Sequence, residues 1–143
     1  MEILIRKMKV EDAKTVNSLS CQLGYPLLIE QTIENIKAVT RSKDHIAFVA
    51  EFEGQVVGWI GASQAIMIEV MQHCEMNGLV IDNDHQGKGV GKLLIEEVKH
   101  WAREKGNSKL SLHCNIKRTE THEFYKHLGF KSAKNQTNFV IDI

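Results

Sequence analysis

One short stretch constrains this chain more than any other: Leu79-Val80-Ile81, a polar loop Asp82-Asn83-Asp84-His85, and then Gln86-Gly87-Lys88-Gly89-Val90-Gly91-Lys92. An apolar strand signal runs into a glycine-rich loop, and the loop opens a helix. Residues 89–105 place Val90, Leu93, Leu94, Val98, Trp101 and Ala102 on one side and stop at Gly106. A loop of this kind presents unpaired backbone N–H groups at the positive end of a helix dipole, which makes it a cradle for an anion. Gly89 and Gly91 carry no Cβ to hold a phosphate away from the backbone, and Lys88 and Lys92 add positive charge. Two common phosphate motifs are excluded by spacing. There is no Gly-x-x-x-x-Gly-Lys-Ser/Thr string, and the glycines at 87, 89 and 91 do not fit Gly-x-Gly-x-x-Gly.

The remaining elements read from periodicity and punctuation. Ile3, Ile5 and Met8 open a first strand, and Ala13, Val16, Leu19 and Leu23 recur at helical spacing up to the break at Gly24-Tyr25-Pro26. Ile29, Ile33, Ile36 and Val39 predict a second helix over Ile29 to Arg41. A strand over His45 to Phe52 turns at Glu53-Gly54 into another over Gln55 to Ala65. A third strand, Met71 to Ile81, contains Gly78, the signature of a bulge or a close approach. Ser108 to Cys114 reads as a half-buried strand, Thr121 to Leu128 as a short helix capped by Gly129, and Asn138 to Ile143 as a last strand. Hairpins mixed with strand-helix-strand crossovers predict an α+β or mixed α/β fold. At 143 residues, without linker or repeat, the chain reads as a single domain over 1–143.

Composition narrows the partners. Eighteen basic side chains balance eighteen acidic ones, so the strong positive bias that drives binding to nucleic acid or anionic membranes is absent, and neither is expected as a partner. Cys21, Cys74 and Cys114 are an odd, unpaired set suited to a reducing cytoplasm. His73-Cys74 and His113-Cys114 supply a zinc-type inventory, but adjacent residues on a strand point to opposite faces, so no metal site is expected.

In order and spacing, Gln86-Gly87-Lys88-Gly89-Val90-Gly91 resembles the Gln/Arg-x-x-Gly-x-Gly/Ala motif of the GNAT (Gcn5-related) N-acetyltransferase superfamily. Ile5-Arg6-Lys7 with Glu11-Asp12-Ala13, the strand meander, Asn115, and Phe124-Tyr125-Lys126-His127-Leu128-Gly129-Phe130-Lys131 extend the likeness over nearly the whole chain. The resemblance implies a central mixed, mostly antiparallel, twisted sheet of six to seven strands, splayed at a bulge at or next to Gly78 and flanked by about four helices. It implies acetyl-CoA as cosubstrate. The backbone of Leu79, Val80 and Ile81 would pair with the pantetheine arm, the amides of Gln86 to Lys92 would hold the pyrophosphate, and Asn115 would contact the cofactor. Tyr125 falls where the family places the general acid for the leaving thiolate, and a phenol of pKa near 10 matches a thiolate of comparable basicity. Glu75, on the strand before the bulge, is the first candidate base; His73 and His113 are alternatives, and the amine could also arrive unprotonated.

The function implied is an N-acetyltransferase moving acetyl directly from acetyl-CoA to a primary amine of a small molecule or peptide. The rivals are acyl transfer through a Cys74 or Cys114 thiol, for which the sequence shows no neighbouring base, and a CoA-binding sensor or interaction module without turnover. The acceptor end is assigned to the first two helices and the hairpin from Gln55 to Val70. A homodimer is expected, since zero formal net charge gives little repulsion and members of the family often pair.

Overall fold

The structure, a computed structural model, describes residues 2–113 and 119–143. It divides into two compact units, Met1–Leu112 and His113–Ile143.

In the first unit five strands form one sheet in chain order: β1 (Leu4–Lys7), β2 (His45–Phe52), β3 (Gln55–Ala65), β4 (His73–Ile81) and β5 (Leu110–Ser111). Neighbours from β1 to β4 run antiparallel, and β5 lies parallel to β4. A parallel neighbour needs a crossover, here supplied by α3 (Val90–Glu104). The sheet is thus mixed and mostly antiparallel as expected. Its strand count among the described residues is five rather than six or seven.

The helices α1 (Ala13–Gln22), entered through a 3-10 turn at Val10–Asp12, and α2 (Ile29–Arg41) cover one face of the sheet. Met8, Ala13, Val16, Ile36 and Val49 form a buried cluster there, with Trp59 packed against it. Opposite residues in an antiparallel pair share a face, so Trp59, which faces Val49, belongs to this side, and Gly58 and Ile60 belong to the other. On that other side α3 buries Val90, Leu94, Ile95, Val98 and Ala102. Burying each of the larger of these side chains contributes about 1.5–3 kcal/mol.

The hairpin turn between β2 and β3 takes positive φ at both Glu53 (52°) and Gly54 (78°), as a tight two-residue turn requires. An ion-pair cluster ties β1 to the rest. Arg6 donates to both oxygens of Asp12, at 2.9 and 2.8 Å, and through Nε to Glu51 at 2.9 Å. Asp12 also accepts from the Lys9 amide at 2.7 Å. The Arg6 guanidinium holds the Asp12 carboxyl below its ordinary range, against the opposing effect of burial. Asp12, at the entry to α1, makes no side-chain cap to that helix and is engaged by Arg6 instead.

In the second unit α4 (Thr119–His127) carries the Phe-Tyr segment and ends before Gly129 at φ 98°. The predicted last strand does not form. Residues 131–143 have no strand, and Phe139, Val140, Ile141 and Ile143 are all exposed. Alternation gives a segment two faces, but a strand also needs a neighbour to complete its hydrogen bonds, and alternation does not supply one.

Candidate functional site

The glycine-rich loop has a tied half and an open half. At the end of β4 the Asp82 amide donates to the Val57 carbonyl at 2.8 Å, fixing the loop's start to β3. The stretch read as a plain polar loop holds a 3-10 turn, Asn83–His85, closed by His85 N–H to the Asp82 carbonyl at 2.9 Å. The Asp82 carboxylate lies 2.7 Å from His85 Nδ1, and the Phe52 ring at the end of β2 meets the His85 ring edge-on at 5.8 Å. Gln86 turns its side-chain amide back to the Ile81 carbonyl, at 3.3 Å.

Beyond Gln86 the character changes. Gly87 and Gly89 adopt left-handed φ of 75° and 83°, and a Cβ at either would meet nothing within 4 Å among the described residues. Glycine is favoured there by backbone conformation. Gly89 caps α3 without any side-chain hydrogen bond, and the first turn of α3 contains no acidic residue. The cap residue and the first turn of the helix thus bring no negative charge to its positive end. Lys88 and Lys92 stand exposed on either side, Val90 and Gly91 are buried at the helix start, and Val80 is buried between the half-buried Leu79 and Ile81.

The bulge lies where the glycine suggested. Gly61 pairs with Gly78 and Ala62 with Met76, leaving Asn77 as the extra residue of β4. The inserted residue inverts the alternation of β4, so that Glu75, opposite Ser63, lies on the Trp59 face, while Met76 shares the α3 face with Ile60. Asn77 donates from Nδ2 to Ser63 Oγ at 3.3 Å. Gly78 is there for a reason invisible in the sequence: a Cβ on it would sit 2.8 Å from Trp59 Cη2. The Trp59 ring is held by its own indole N–H, which donates to Ser20 Oγ at 3.2 Å. Among the described residues β5 pairs with β4 only at Cys74 and Glu75, so Met76 to Ile81 have no strand on that edge.

The other candidates separate. Glu75 is half-buried in β4 and His113 is exposed. His73 Nδ1 lies 3.0 Å from the Met71 carbonyl. Cys74 is fully buried, and burial pushes its thiol up to about 11, which leaves little thiolate near neutral pH for a nucleophilic role. Cys114 and Asn115 lie outside the described residues. In the second unit Tyr125 is half-buried on α4, edge-on to Phe124 at 5.2 Å and to Phe130 at 5.6 Å. Sequence reasoning missed Trp59, whose partner Gly78 is nineteen positions away across a strand pair, and the Asp82–His85 pair, whose three-residue spacing was legible.

A mixed, mostly antiparallel sheet is thus interrupted by a bulge in the strand that feeds a glycine-lined helix start. Residues 13–130 match the Acetyltransferase (GNAT) family, and the chain belongs to it; it is an acetyltransferase. An aminoalkylphosphonate N-acetyltransferase of Salmonella typhimurium is 27% identical over 131 residues, covering 90% of this chain and 85% of that protein. An uncharacterized N-acetyltransferase of Chlorobaculum tepidum is 24% identical over 133 residues, 92% of this chain and 77% of that one. One of Methanocaldococcus jannaschii is 30% identical over 89 residues, 61% of this chain but only 39% of its own length, so this chain spans about two fifths of that protein. Among solved structures, the aminoglycoside acetyltransferase AAC(6')-Iy in complex with the bisubstrate analogue CoA-S-monomethyl-acetylneamine superposes with a TM-score of 0.89 at 18% identity, over 100% of both chains. A Trypanosoma brucei acetyltransferase gives 0.81 at 22% identity, over 98% of this chain and 100% of that one. Among the described residues no helix is long and apolar enough to cross a membrane.

Proposed function

We propose that this chain is one N-acetyltransferase domain that moves acetyl from acetyl-CoA directly to a primary amine of a small molecule or peptide. The observation that carries the reading is the open half of the glycine loop: two left-handed glycines, free space above them, and an uncapped helix start between two lysines. A pyrophosphate fits such a cradle, because amide donors and a helix dipole meet it where no Cβ intervenes. The complex of the aminoglycoside acetyltransferase with a CoA-containing analogue supports CoA in this fold.

Acetyl-CoA would supply an activated thioester; the protein's own residues would orient it and move protons. The amides of Gln86 to Lys92 hold the phosphates, and the edge of Leu79, Val80 and Ile81, without a strand neighbour among the described residues, offers backbone groups to the pantetheine arm. Glu75 takes the proton of the incoming amine, and the Tyr125 hydroxyl gives one to the departing thiolate. Asn115 keeps its assignment as a cofactor contact. The chain acts in the cytoplasm and pairs as a homodimer, which light scattering at tens of micromolar checks.

The test begins with calorimetry of CoA against the wild-type chain, expected to give a micromolar Kd; absence of binding would overturn the reading. An amine screen following thiol release then finds the acceptor, and failure to find turnover with any amine would favour a sensor. Tyr125→Phe removes one oxygen and little volume, so it should lower kcat by about a hundredfold with CoA affinity nearly unchanged. A Tyr125→Phe enzyme with wild-type kcat, under conditions where chemistry limits, would return Tyr125 to an aromatic packing role.

A further inference from the structure

The two halves of the loop are joined in series. Among the described residues nothing lies within 4 Å of the positions a Cβ on Gly87 or Gly89 would take. Their placement must come from the residues before them and from α3 after them. On the β4 side the backbone passes through Asp82, Asn83–His85 and Gln86, and the contacts that restrain this segment are few and specific. Asp82 is fastened to β3 through its amide, at 2.8 Å from the Val57 carbonyl. From that fixed point its carboxylate reaches His85 Nδ1 at 2.7 Å, and the His85 ring in turn rests against Phe52. Both side chains are about four-fifths buried, at 21% and 19% exposure, so solvent screens their contact less than that of a surface pair. The carboxylate belongs to the residue that caps the 3-10 turn yet makes no capping hydrogen bond to the backbone. It is committed to the imidazole instead, which fixes the Nδ1 position as the one carrying a proton toward Asp82.

We infer that Asp82 and His85 are positioning residues for the cofactor's phosphates: their contact, anchored on β2 and β3, sets the direction in which the chain enters Gly87 and so aims the loop amides. Neither side chain needs to touch the ligand. This rests on the reading that CoA phosphates occupy the loop. Misplacing a preorganised set of donors by even about an ångström costs heavily in the interaction they make, so the effect should appear in phosphate affinity and not in fold stability.

The experiment compares His85→Phe with His85→Asn. The phenyl ring keeps an aromatic face for Phe52 but removes the donor to Asp82. Asparagine loses the ring but places its Nδ2 where Nδ1 was. CoA is titrated by calorimetry, and pantetheine, which has no phosphate, by amide chemical shifts at millimolar concentration. His85→Phe should raise the Kd for CoA about tenfold or more while leaving that for pantetheine and the thermal midpoint of the free protein as in wild type. His85→Asn should restore most of the CoA affinity, and Asp82→Ala should behave like His85→Phe, which covers the case of a His85→Phe chain that does not fold. Wild-type CoA affinity in His85→Phe or in Asp82→Ala overturns the inference, as does equal weakening by Phe and Asn, or a parallel loss for pantetheine. If the wild-type chain itself binds no CoA, the reading beneath the inference has failed first, and the inference falls with it.

Discussion

Gly58 and Gly78 on one hand, and Gly87 and Gly89 on the other, are glycines for opposite reasons. The first two lie within strands and are short of room: a Cβ on Gly58 would come 2.9 Å from Ile81 Cδ1 and 3.1 Å from the Val80 carbonyl, and one on Gly78 would enter the Trp59 ring. The second two have all the room a side chain could want and the wrong backbone for one. The difference separates what the fold needs from what a ligand needs. Packing glycines let the sheet close around β4, whereas loop glycines leave a surface unfilled beside a helix start. A sequence shows only the letter; the neighbours distinguish the cases.

That contrast can be broken by substitution. The largest loss of stability is expected from Gly78→Ala, about 3 kcal/mol, because the obstacle is a rigid ring pinned by Ser20. Trp59→Leu should recover part of it, so that the two substitutions are less costly together than their sum; strictly additive unfolding energies would show that Trp59 is not the obstacle. Gly58→Ala should cost less, about 1–2 kcal/mol, since the end of Ile81 can rotate away and only the Val80 carbonyl stands firm. Chemical denaturation measures both. The smallest stability effect, about 0.5 kcal/mol, belongs to Gly89→Asn, because asparagine tolerates left-handed backbone. Its CoA affinity should nonetheless fall about tenfold as a side chain enters the phosphate space, and unchanged affinity would move the cradle elsewhere. Gly89→Val would confuse the two effects, since a branched residue at φ 83° is strained before any ligand arrives.

These stabilities should be compared near neutral pH. Arg6 depresses the carboxyl of Asp12 in the folded state, so the stability this supplies is fully present above the unfolded value near 4 and drains away as pH falls through the folded value. Asp12→Asn should flatten that acid slope in a denaturation series, and an unchanged slope would place the acid sensitivity elsewhere.

Local signals were read well. The periodicity of Ile29, Ile33, Ile36 and Val39 gave α2 with its observed limits, and apolar runs punctuated by Glu53-Gly54 gave β2 and β3 with theirs. Gly78 announced the bulge, and the glycine loop announced the helix start. What escaped was whatever depends on a second segment. Arg6 finds Asp12 and Glu51 only once β1, the 3-10 turn and β2 are assembled, and Trp59 finds Gly78 only across a strand pair. The last strand failed for the complementary reason: Phe139 and Ile141 alternate with their neighbours, but alternation says nothing about whether a partner edge exists. The roles given to Tyr125, Glu75 and Asn115 came from resemblance, because phenol, carboxylate and amide side chains are common everywhere and no spacing rule makes them catalytic.

The edge of β4 from Met76 to Ile81, which has no β5 partner among the described residues, carries a further consequence. Backbone amides there that point away from β3 have no ladder partner among the described residues, so in deuterated water they should exchange early, while the β3-facing amides of the same strand wait for larger openings. One strand would thus keep two clocks. An arm hydrogen-bonded along that edge would slow the fast clock and leave the slow one alone, making the alternating residues of a single strand their own internal standard for occupancy.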